Sequence, residues 1–128
     1  MKKAIRDVSA FHRACNVPQL PTPRFPSAKR VALRQALLNE EHGEFHIAIA
    51  RKDLAGVADA LADIIYVAIG TALEFGIPLD AVWGEVQRSN MAKRDPKTGT
   101  VQRRPDGKII KPEGWRPPDI ASVLEAAR

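Results

Sequence analysis

Two acidic clusters, separated by a short stretch of chain, are the residues best suited to chemistry. Glu40, Glu41 and Glu44 form the first cluster, and Asp59 and Asp63 form the second. On a helix, residues three or four apart lie on the same side, so each cluster presents its carboxylates together. Carboxylate oxygens without a histidine at ligand spacing suit a hard cation such as Mg²⁺ or Mn²⁺. The pattern predicts a metal site shared by both clusters, although a solvated acidic surface would also explain the first cluster alone.

The segment that carries the second cluster is otherwise apolar. Residues 57–75 consist mostly of Ala, Leu, Ile and Val, and they contain no Lys or Arg that could pair with Asp59 or Asp63. A helix that is apolar on every side is expected in an interior, where an unpaired carboxylate is strongly disfavoured. A bound cation is therefore the simplest explanation for these two Asp residues.

Breaker residues divide the chain into helices that can position the clusters. The pattern predicts four main helices, over about residues 4–16, 28–50, 54–75 and 78–93. Ser27 and Asp53 are favourable N-caps, Gly76 is a left-handed stop, and Pro78 suits a first turn. Because the second and third helices are joined by a short turn, they are expected to pack antiparallel and to bring both clusters to one level.

Positive charge is concentrated towards the C-terminus. Residues 1–87 hold ten Lys/Arg and ten Asp/Glu, whereas residues 88–116 hold nine Lys/Arg and three Asp/Glu. Within this Pro- and Gly-rich part, a turn is expected to join two short strands near Val101 and at 109–110, and Asp119 is expected near the start of a short last helix. Such a strip suits a solvated surface, a nucleic acid, or a polyphosphate held between cations and metal ions.

Size and composition predict a single cytoplasmic domain. The 128 residues fit one domain, with a helical core over about 1–93 and a basic tail over about 94–128. Cys15 has no partner for an internal disulfide, which fits a reducing compartment, and it is expected as a small core residue. The first residues carry charges where a signal peptide needs an apolar run, and Asp59 and Asp63 interrupt the best candidate membrane span. No contact with a membrane is expected.

The spacing of the acidic residues resembles that of a known superfamily. Glu40-Glu41-x-x-Glu44 followed by Asp59-x-x-x-Asp63 resembles the MazG-like, all-α nucleoside triphosphate pyrophosphohydrolases, which include phosphoribosyl-ATP pyrophosphohydrolases and dimeric dUTPases. Further stretches are similar to a small bacterial and phage branch of it: Phe11-His12, Leu33-Arg34, Tyr66 with Gly70-Thr71-Ala72, Arg88-Ser89-Asn90-Met91 with Lys93, and Asp106-Gly107-Lys108 leading to Pro117-Pro118-Asp119. The resemblance spans nearly the whole chain.

The resemblance implies hydrolysis between the α and β phosphates of a nucleoside triphosphate, which yields the monophosphate and pyrophosphate with the help of Mg²⁺ or Mn²⁺. Glu41, Glu44 and Asp63 are then metal ligands and Asp59 is a fourth, while Glu40 is the candidate proton acceptor for the attacking water. One departure concerns Asp59, because the superfamily usually has Glu-x-x-Asp in the third helix and Ala60 stands three residues before Asp63.

The resemblance also implies contacts with the phosphates by Asn90 and Lys93, with Arg88 or Arg94 as a further cation. Two other residues have open alternatives. Arg34 could contact a phosphate or form a structural ion pair with a carboxylate, and His12 could contact the base or pack in the core.

The resemblance further implies a homodimer, or a tetramer made of two dimers. The expected fold is all-α, with antiparallel helical hairpins that form a four-helix-bundle core on oligomerisation and an irregular basic tail. A deoxynucleotide is favoured as substrate, with guanine ahead of uracil, on the resemblance alone.

Other protein classes fit the sequence less well. A di-iron bundle would need Glu-x-x-His on its helices, whereas Gly43 precedes His46 by three residues. A nucleic-acid-binding protein would rest on the basic tail, where Trp115 is the only aromatic residue after Trp83 and a stacking surface is therefore lacking. Trp115 itself could lie over a base or serve as a packing anchor.

Overall fold

A computed structural model describes all residues from 1 to 128 and contains five α-helices and no strand. The helices are α1 (Lys2–Ala14), α2 (Ala28–Arg51), α3 (Leu54–Glu74), α4 (Leu79–Met91) and α5 (Ile120–Glu125). The all-α prediction is confirmed, and the ends of the first four helices lie within two residues of the expected positions.

The expected capping residues begin and end these helices. The Ser27 hydroxyl accepts a hydrogen bond from the Arg30 amide, and the Asp53 carboxylate accepts one from the Gly56 amide at 3.0 Å. At the end of α3, Gly76 has a φ of +64°, and a Cβ there would collide with the Thr22 carbonyl group. Local chemistry therefore fixes both ends of the segment that carries the second acidic cluster.

Helices α2 and α3 form an antiparallel hairpin with a connection of only two residues, Lys52 and Asp53. Lys52 takes up the left-handed conformation at φ +54°, which reverses the chain directly after α2. The contact between α2 and α3 is the most extensive in the molecule, and α1 also packs against α3. The two acidic clusters are thus carried by neighbouring helices.

The core of a single chain is small. The fully buried apolar side chains belong to Val8, Ala48, Ala60, Ile69 and Ala72. The expectation that α3 lies in an interior is wrong for one chain, because only 17% of its most apolar 18-residue window is buried. Leu61 and Ile65 on this helix are 45% and 55% exposed.

Helix α3 is also long and apolar enough to cross a membrane, with a mean hydropathy of 1.6 over that window. Asp59 and Asp63 therefore do not remove it from the candidates, contrary to the sequence argument. One such helix is weak evidence for a membrane protein, because the core helix of a soluble protein has the same length and composition.

Two further expectations are corrected. The two short strands of the tail are replaced by isolated antiparallel bridges, Arg94 with Val101 and Arg103 with Ile109. A two-stranded ribbon with little apolar surface to bury does not extend into a regular ladder. Cys15, expected in the core, is exposed just after the end of α1.

Candidate carboxylate site

The hairpin presents the acidic residues of both helices around its contact line. On α2, Glu40 and Glu44 are exposed and Glu41 is half-buried, while on α3 Asp59 is exposed and Asp63 is half-buried. Glu41 and Asp63 therefore lie nearest to the helix contact, and the other three carboxylates flank them.

An open groove runs along the end of the hairpin that is nearest to its turn. It has a volume of about 320 Å³ and joins Glu44 of α2 to Asp59 of α3. Its lining residues are Glu44, Ile47, Ala48, Arg51, Asp53, Gly56 and Asp59. The groove gives solvent and small polar ligands access to one side of the acidic residues.

The other four carboxylates act electrostatically on Glu41. Partial burial raises the pKa of Glu41 above its ordinary value, and the negative charges of Asp63, Glu44, Glu40 and Asp59 raise it further. Because charges interact strongly only at short range in water, this effect on Glu41 places the other four carboxylates around it. We call this group, consisting of Glu40, Glu41, Glu44, Asp59 and Asp63, the carboxylate site.

The carboxylate oxygens do not converge on a single point. Nowhere in the molecule do three Asp, Glu, His or Cys side chains come together at metal-ligand distance. Mutual repulsion favours rotamers that hold the oxygens apart, and Glu side chains have enough rotatable bonds to approach a common cation. The donor set consists only of carboxylate oxygens, which is the chemistry that Mg²⁺ and Mn²⁺ prefer.

Arg34, one of the two residues with open alternatives, lies in a buried ion-pair network. Its guanidinium group donates to the Thr71 hydroxyl at 3.0 Å and to the Val67 carbonyl oxygen at 2.6 Å, and it lies 3.4 Å from the Glu74 carboxylate. Arg30 pairs with the same fully buried carboxylate at 2.6 Å. The structure thus contains the structural ion pair of Arg34, and a phosphate contact by this residue stays a prediction.

His12 packs against this network as a core histidine would, and a contact with the base stays a prediction. Its side chain is buried, and its Nδ1 atom has no hydrogen-bonding partner. Burial, together with the positive charges of Arg34 and Arg30, lowers the pKa of His12, and the opposing effect of Glu74 is smaller than that of Arg34. The imidazole therefore favours the neutral state in the folded protein.

The residues expected to contact the phosphates lie together at the end of α4. The Lys93 ammonium group donates to the Asn90 side chain at 2.9 Å, and the Arg94 Nε donates to the Met91 carbonyl oxygen. Helix α4 packs mainly against α5 rather than against the α2–α3 hairpin. Within one chain, the cationic residues and the carboxylate site thus belong to different parts of the molecule.

The tail is attached to α4 by specific contacts. The Trp115 indole N–H donates to the Ser89 carbonyl oxygen at 2.9 Å, and the Lys111 ammonium group lies 4.2 Å from the centre of the indole ring. Trp115 is therefore a packing anchor. The Arg88 guanidinium pairs with Glu85 through two hydrogen bonds of 2.8 Å, which leaves it little capacity for a ligand.

One pair of residues contradicts the sequence argument that no histidine stands at ligand spacing. His42 and His46 are four residues apart on α2, and their Nε2 atoms are 3.2 Å apart on the exposed side of the helix. The i, i+4 spacing of the two histidines is visible in the sequence, but a search based on the carboxylate pattern does not consider it.

An antiparallel helical hairpin that presents carboxylates from both helices is the arrangement that the sequence resemblance predicts for an all-α nucleotide pyrophosphohydrolase. The model of the family named phosphoribosyl-ATP pyrophosphohydrolase matches residues 8–90, which is well over half of the chain. The protein therefore belongs to this family, within the MazG-like all-α superfamily. No individual curated protein is similar enough to count as a match.

Family membership determines the class of reaction. Members are pyrophosphohydrolases that act on a phosphoanhydride bond of a nucleotide, and they generally use divalent metal ions. The matched region contains α2, α3 and nearly all of α4, whereas the basic tail follows it.

Proposed function

We propose that the protein hydrolyses a nucleoside or deoxynucleoside triphosphate to the monophosphate and pyrophosphate in a reaction that depends on Mg²⁺ or Mn²⁺. The observation that carries the proposal is the electrostatic grouping of five carboxylates from two helices in a member of a pyrophosphohydrolase family. Such a concentration of negative charge repels a polyphosphate unless cations lie between them. A bound divalent ion neutralises phosphate charge and lowers the pKa of a coordinated water.

Within the carboxylate site, Glu41 and Asp63 are the proposed central ligands, because they are the half-buried members next to the helix contact. Glu44 and Asp59 border the groove on opposite helices, and they are proposed as further ligands from the solvent side. Carboxylates on two helices would hold a cation between them and would fix the relative position of α2 and α3.

Glu40 is the proposed proton acceptor. It is exposed and projects about 100° around α2 from Glu41, so it lies beside the ligands without facing the same direction. A carboxylate in that position can accept the proton of a water that attacks phosphorus, while its neighbours remain bound to the cation.

Asn90, Lys93 and Arg94 are the proposed contacts to the far phosphates. They lie at the end of α4, away from the carboxylate site of the same chain, so we propose that they serve the carboxylate site of a second chain. A homodimer, or a tetramer of two dimers, would then hold each polyphosphate between metal ions on one chain and cations on the other.

The most direct test is a substrate panel with the purified protein. All common NTPs and dNTPs, together with phosphoribosyl-ATP, are incubated with Mg²⁺ or Mn²⁺, and products are separated by ion-exchange chromatography. We expect a monophosphate and pyrophosphate from at least one nucleoside triphosphate, with dGTP or GTP ahead of dUTP, and complete loss of activity in EDTA.

Each alternative outcome has a distinct meaning. Turnover of phosphoribosyl-ATP alone would mean that the protein has the activity for which the family is named, and not the proposed activity on nucleoside triphosphates. Stepwise release of orthophosphate through a diphosphate would contradict the proposed bond cleavage. Inertness towards every nucleotide, combined with retardation of DNA in a low-salt gel shift, would favour the nucleic-acid alternative that the basic tail suggests. We propose a cytoplasmic location, where these substrates are found.

A further inference from the structure

His42 and His46 form a side-chain pair that the proposed hydrolysis does not use. They occupy adjacent turns of α2, both are exposed, and their Nε2 atoms are 3.2 Å apart. The half-buried Phe45 ring packs edge-on against His46, with ring centroids 5.8 Å apart, and this contact restricts the orientation of that imidazole. The rigid helix and the aromatic neighbour together hold two nitrogen donors in place.

The separation of the two nitrogens matches that of two ligands on one metal ion. Zn²⁺ lies about 2.0–2.1 Å from an imidazole nitrogen in tetrahedral sites, which places two such nitrogens about 3.3–3.4 Å apart. The observed 3.2 Å is close to this separation, and the rings, which lie edge to face with centroids 4.5 Å apart, must turn to direct both lone pairs at one ion. The spacing of two histidines at i and i+4 is also the one by which a helix presents two imidazoles to a single zinc ion.

A metal ion bound by both rings would take the place of the hydrogen bond between the two Nε2 atoms. Between two neutral imidazoles, one Nε2 carries the hydrogen and the other accepts it. When a cation binds, the donating ring shifts its hydrogen to Nδ1, so that both Nε2 lone pairs point to the ion.

We propose that His42 and His46 bind a divalent transition-metal ion such as Zn²⁺, Ni²⁺ or Cu²⁺. Imidazole nitrogen prefers these ions, whereas Mg²⁺ and Mn²⁺ prefer carboxylate oxygen. Around α2, His42 points about 160° away from Glu40 and Glu44 and about 100° away from Glu41, and His46 points about 140° away from Glu41, so the pair faces another side of the helix. No third Asp, Glu, His or Cys side chain joins it, and water completes the coordination.

The surroundings favour cation binding at this position. The carboxylate site on the same helix hairpin contributes five acidic residues, which attract cations to this part of the molecule. The pair itself is open to solvent, so an ion can enter without a conformational change. The proposal does not depend on the hydrolytic activity, and the two can fail independently.

The test is a titration of the full chain with Zn²⁺ in excess Mg²⁺, followed by calorimetry and by long-range ¹H–¹⁵N spectra of the imidazoles. We expect one Zn²⁺ per chain at this site and shifts of Nε2 in His42 and His46. The chain contains one other histidine, the buried His12, which serves as an internal control and should not shift. With Ni²⁺, paramagnetic broadening should affect the signals of His42 and His46 and leave those of His12 unchanged.

Single substitutions test chelation directly. His42→Ala and His46→Ala should each weaken Zn²⁺ binding by roughly a hundredfold, because the second bond of a chelate forms at high effective concentration. Both positions are exposed on a helix, so Ala should preserve the fold, and circular dichroism checks this. Glu41→Gln is the matched control in the same helix, and it should keep the imidazole shifts.

Two results would overturn the proposal. Equal Zn²⁺ affinity in the wild type and in the His42→Ala/His46→Ala double variant would assign the bound ion to carboxylates. Full affinity in either single variant would show a monodentate histidine rather than a chelating pair.

Discussion

Glu41 and Glu40 are neighbours in sequence, yet they are expected to respond differently to the loss of charge. Glu41→Gln and Asp63→Asn should weaken binding of Mn²⁺, because an amide lacks the charge that holds the ion at the helix contact. Glu40→Gln should retain the metal and the nucleotide while turnover falls by a factor of roughly 10² to 10⁴, as expected for the loss of a proton acceptor. Calorimetry with Mn²⁺ and single-turnover kinetics would measure both effects.

A carboxylate outside the site provides the control for these variants. Glu125→Gln, on the exposed end of α5, should change neither metal affinity nor turnover. If Glu40→Gln lost the metal as severely as Glu41→Gln, Glu40 would be a ligand, and another proton acceptor would have to be found.

His12 leads to a prediction about stability and pH. Its pKa is lowered in the folded protein by burial and by the charge of Arg34, so the unfolded chain binds the proton more tightly. The free energy of unfolding should therefore fall as the pH drops below about 6.5, the ordinary pKa of histidine. The loss should continue until the pH reaches the lower pKa of the folded state. Urea unfolding between pH 8 and pH 5 measures this dependence.

His12→Gln is the matched variant for this dependence, because glutamine has a polar side chain that does not titrate in this range. As the pH falls, the unfolding free energy of the wild type should decrease relative to that of the variant. A difference that stayed constant from pH 8 to pH 5 would show that His12 does not take up a proton on unfolding in this range.

At the scale of helices, the contact between α1 and α3 depends on the absence of a side chain at Gly70. A Cβ atom there would lie 2.7 Å from His12 Nε2 and 2.8 Å from Arg34 Nη2. Both of these side chains are buried, so they cannot move aside freely. Gly70→Ala should therefore lower the free energy of unfolding by roughly 1–3 kcal/mol, as measured by urea denaturation.

Gly84 is the matched control because it lies inside α4, where an added Cβ atom would meet no neighbouring atom within 4 Å. Gly84→Ala should raise the free energy of unfolding by roughly 0.5–1 kcal/mol, since alanine is the better helix former. Equal effects of the two substitutions would mean that the packing at Gly70 does not limit the approach of α1 to α3.

At the scale of the whole molecule, one chain leaves much apolar surface uncovered. Ile47, Leu61, Ile65 and Trp83 are among the exposed large apolar residues, and they lie on three different helices. A second copy that pairs two hairpins into a four-helix core would bury such surface. Light scattering coupled to size exclusion should report at least a dimer at micromolar concentration, and an active monomer would contradict this.

Shared active sites can be tested separately from assembly. If the carboxylate site of one chain works with Lys93 of another, then Glu41→Gln and Lys93→Ala proteins should each be inactive as pure samples. Hybrids formed by mixing and refolding them should recover part of the activity, because some sites would combine two intact halves. Mixtures of Glu41→Gln with Asp63→Asn should not recover, since both changes lie in the same half.

The sequence by itself determined the helices and their ends. Ser27, Asp53 and Gly76 act through their immediate neighbours, by capping amides or by adopting a positive φ, and such effects are readable in a single chain. The family followed from the sequence for the same reason, because its acidic residues recur at helical spacing.

Only the tertiary structure decided how residues distant in sequence are paired. The sequence left Arg34 open to a phosphate or to a carboxylate, and the structure pairs it with the buried Glu74, which lies forty residues later on another helix. The sequence likewise did not reveal that α3 is exposed. Hydropathy shows that this helix prefers apolar contacts, but it does not show whether a single chain is large enough to cover it.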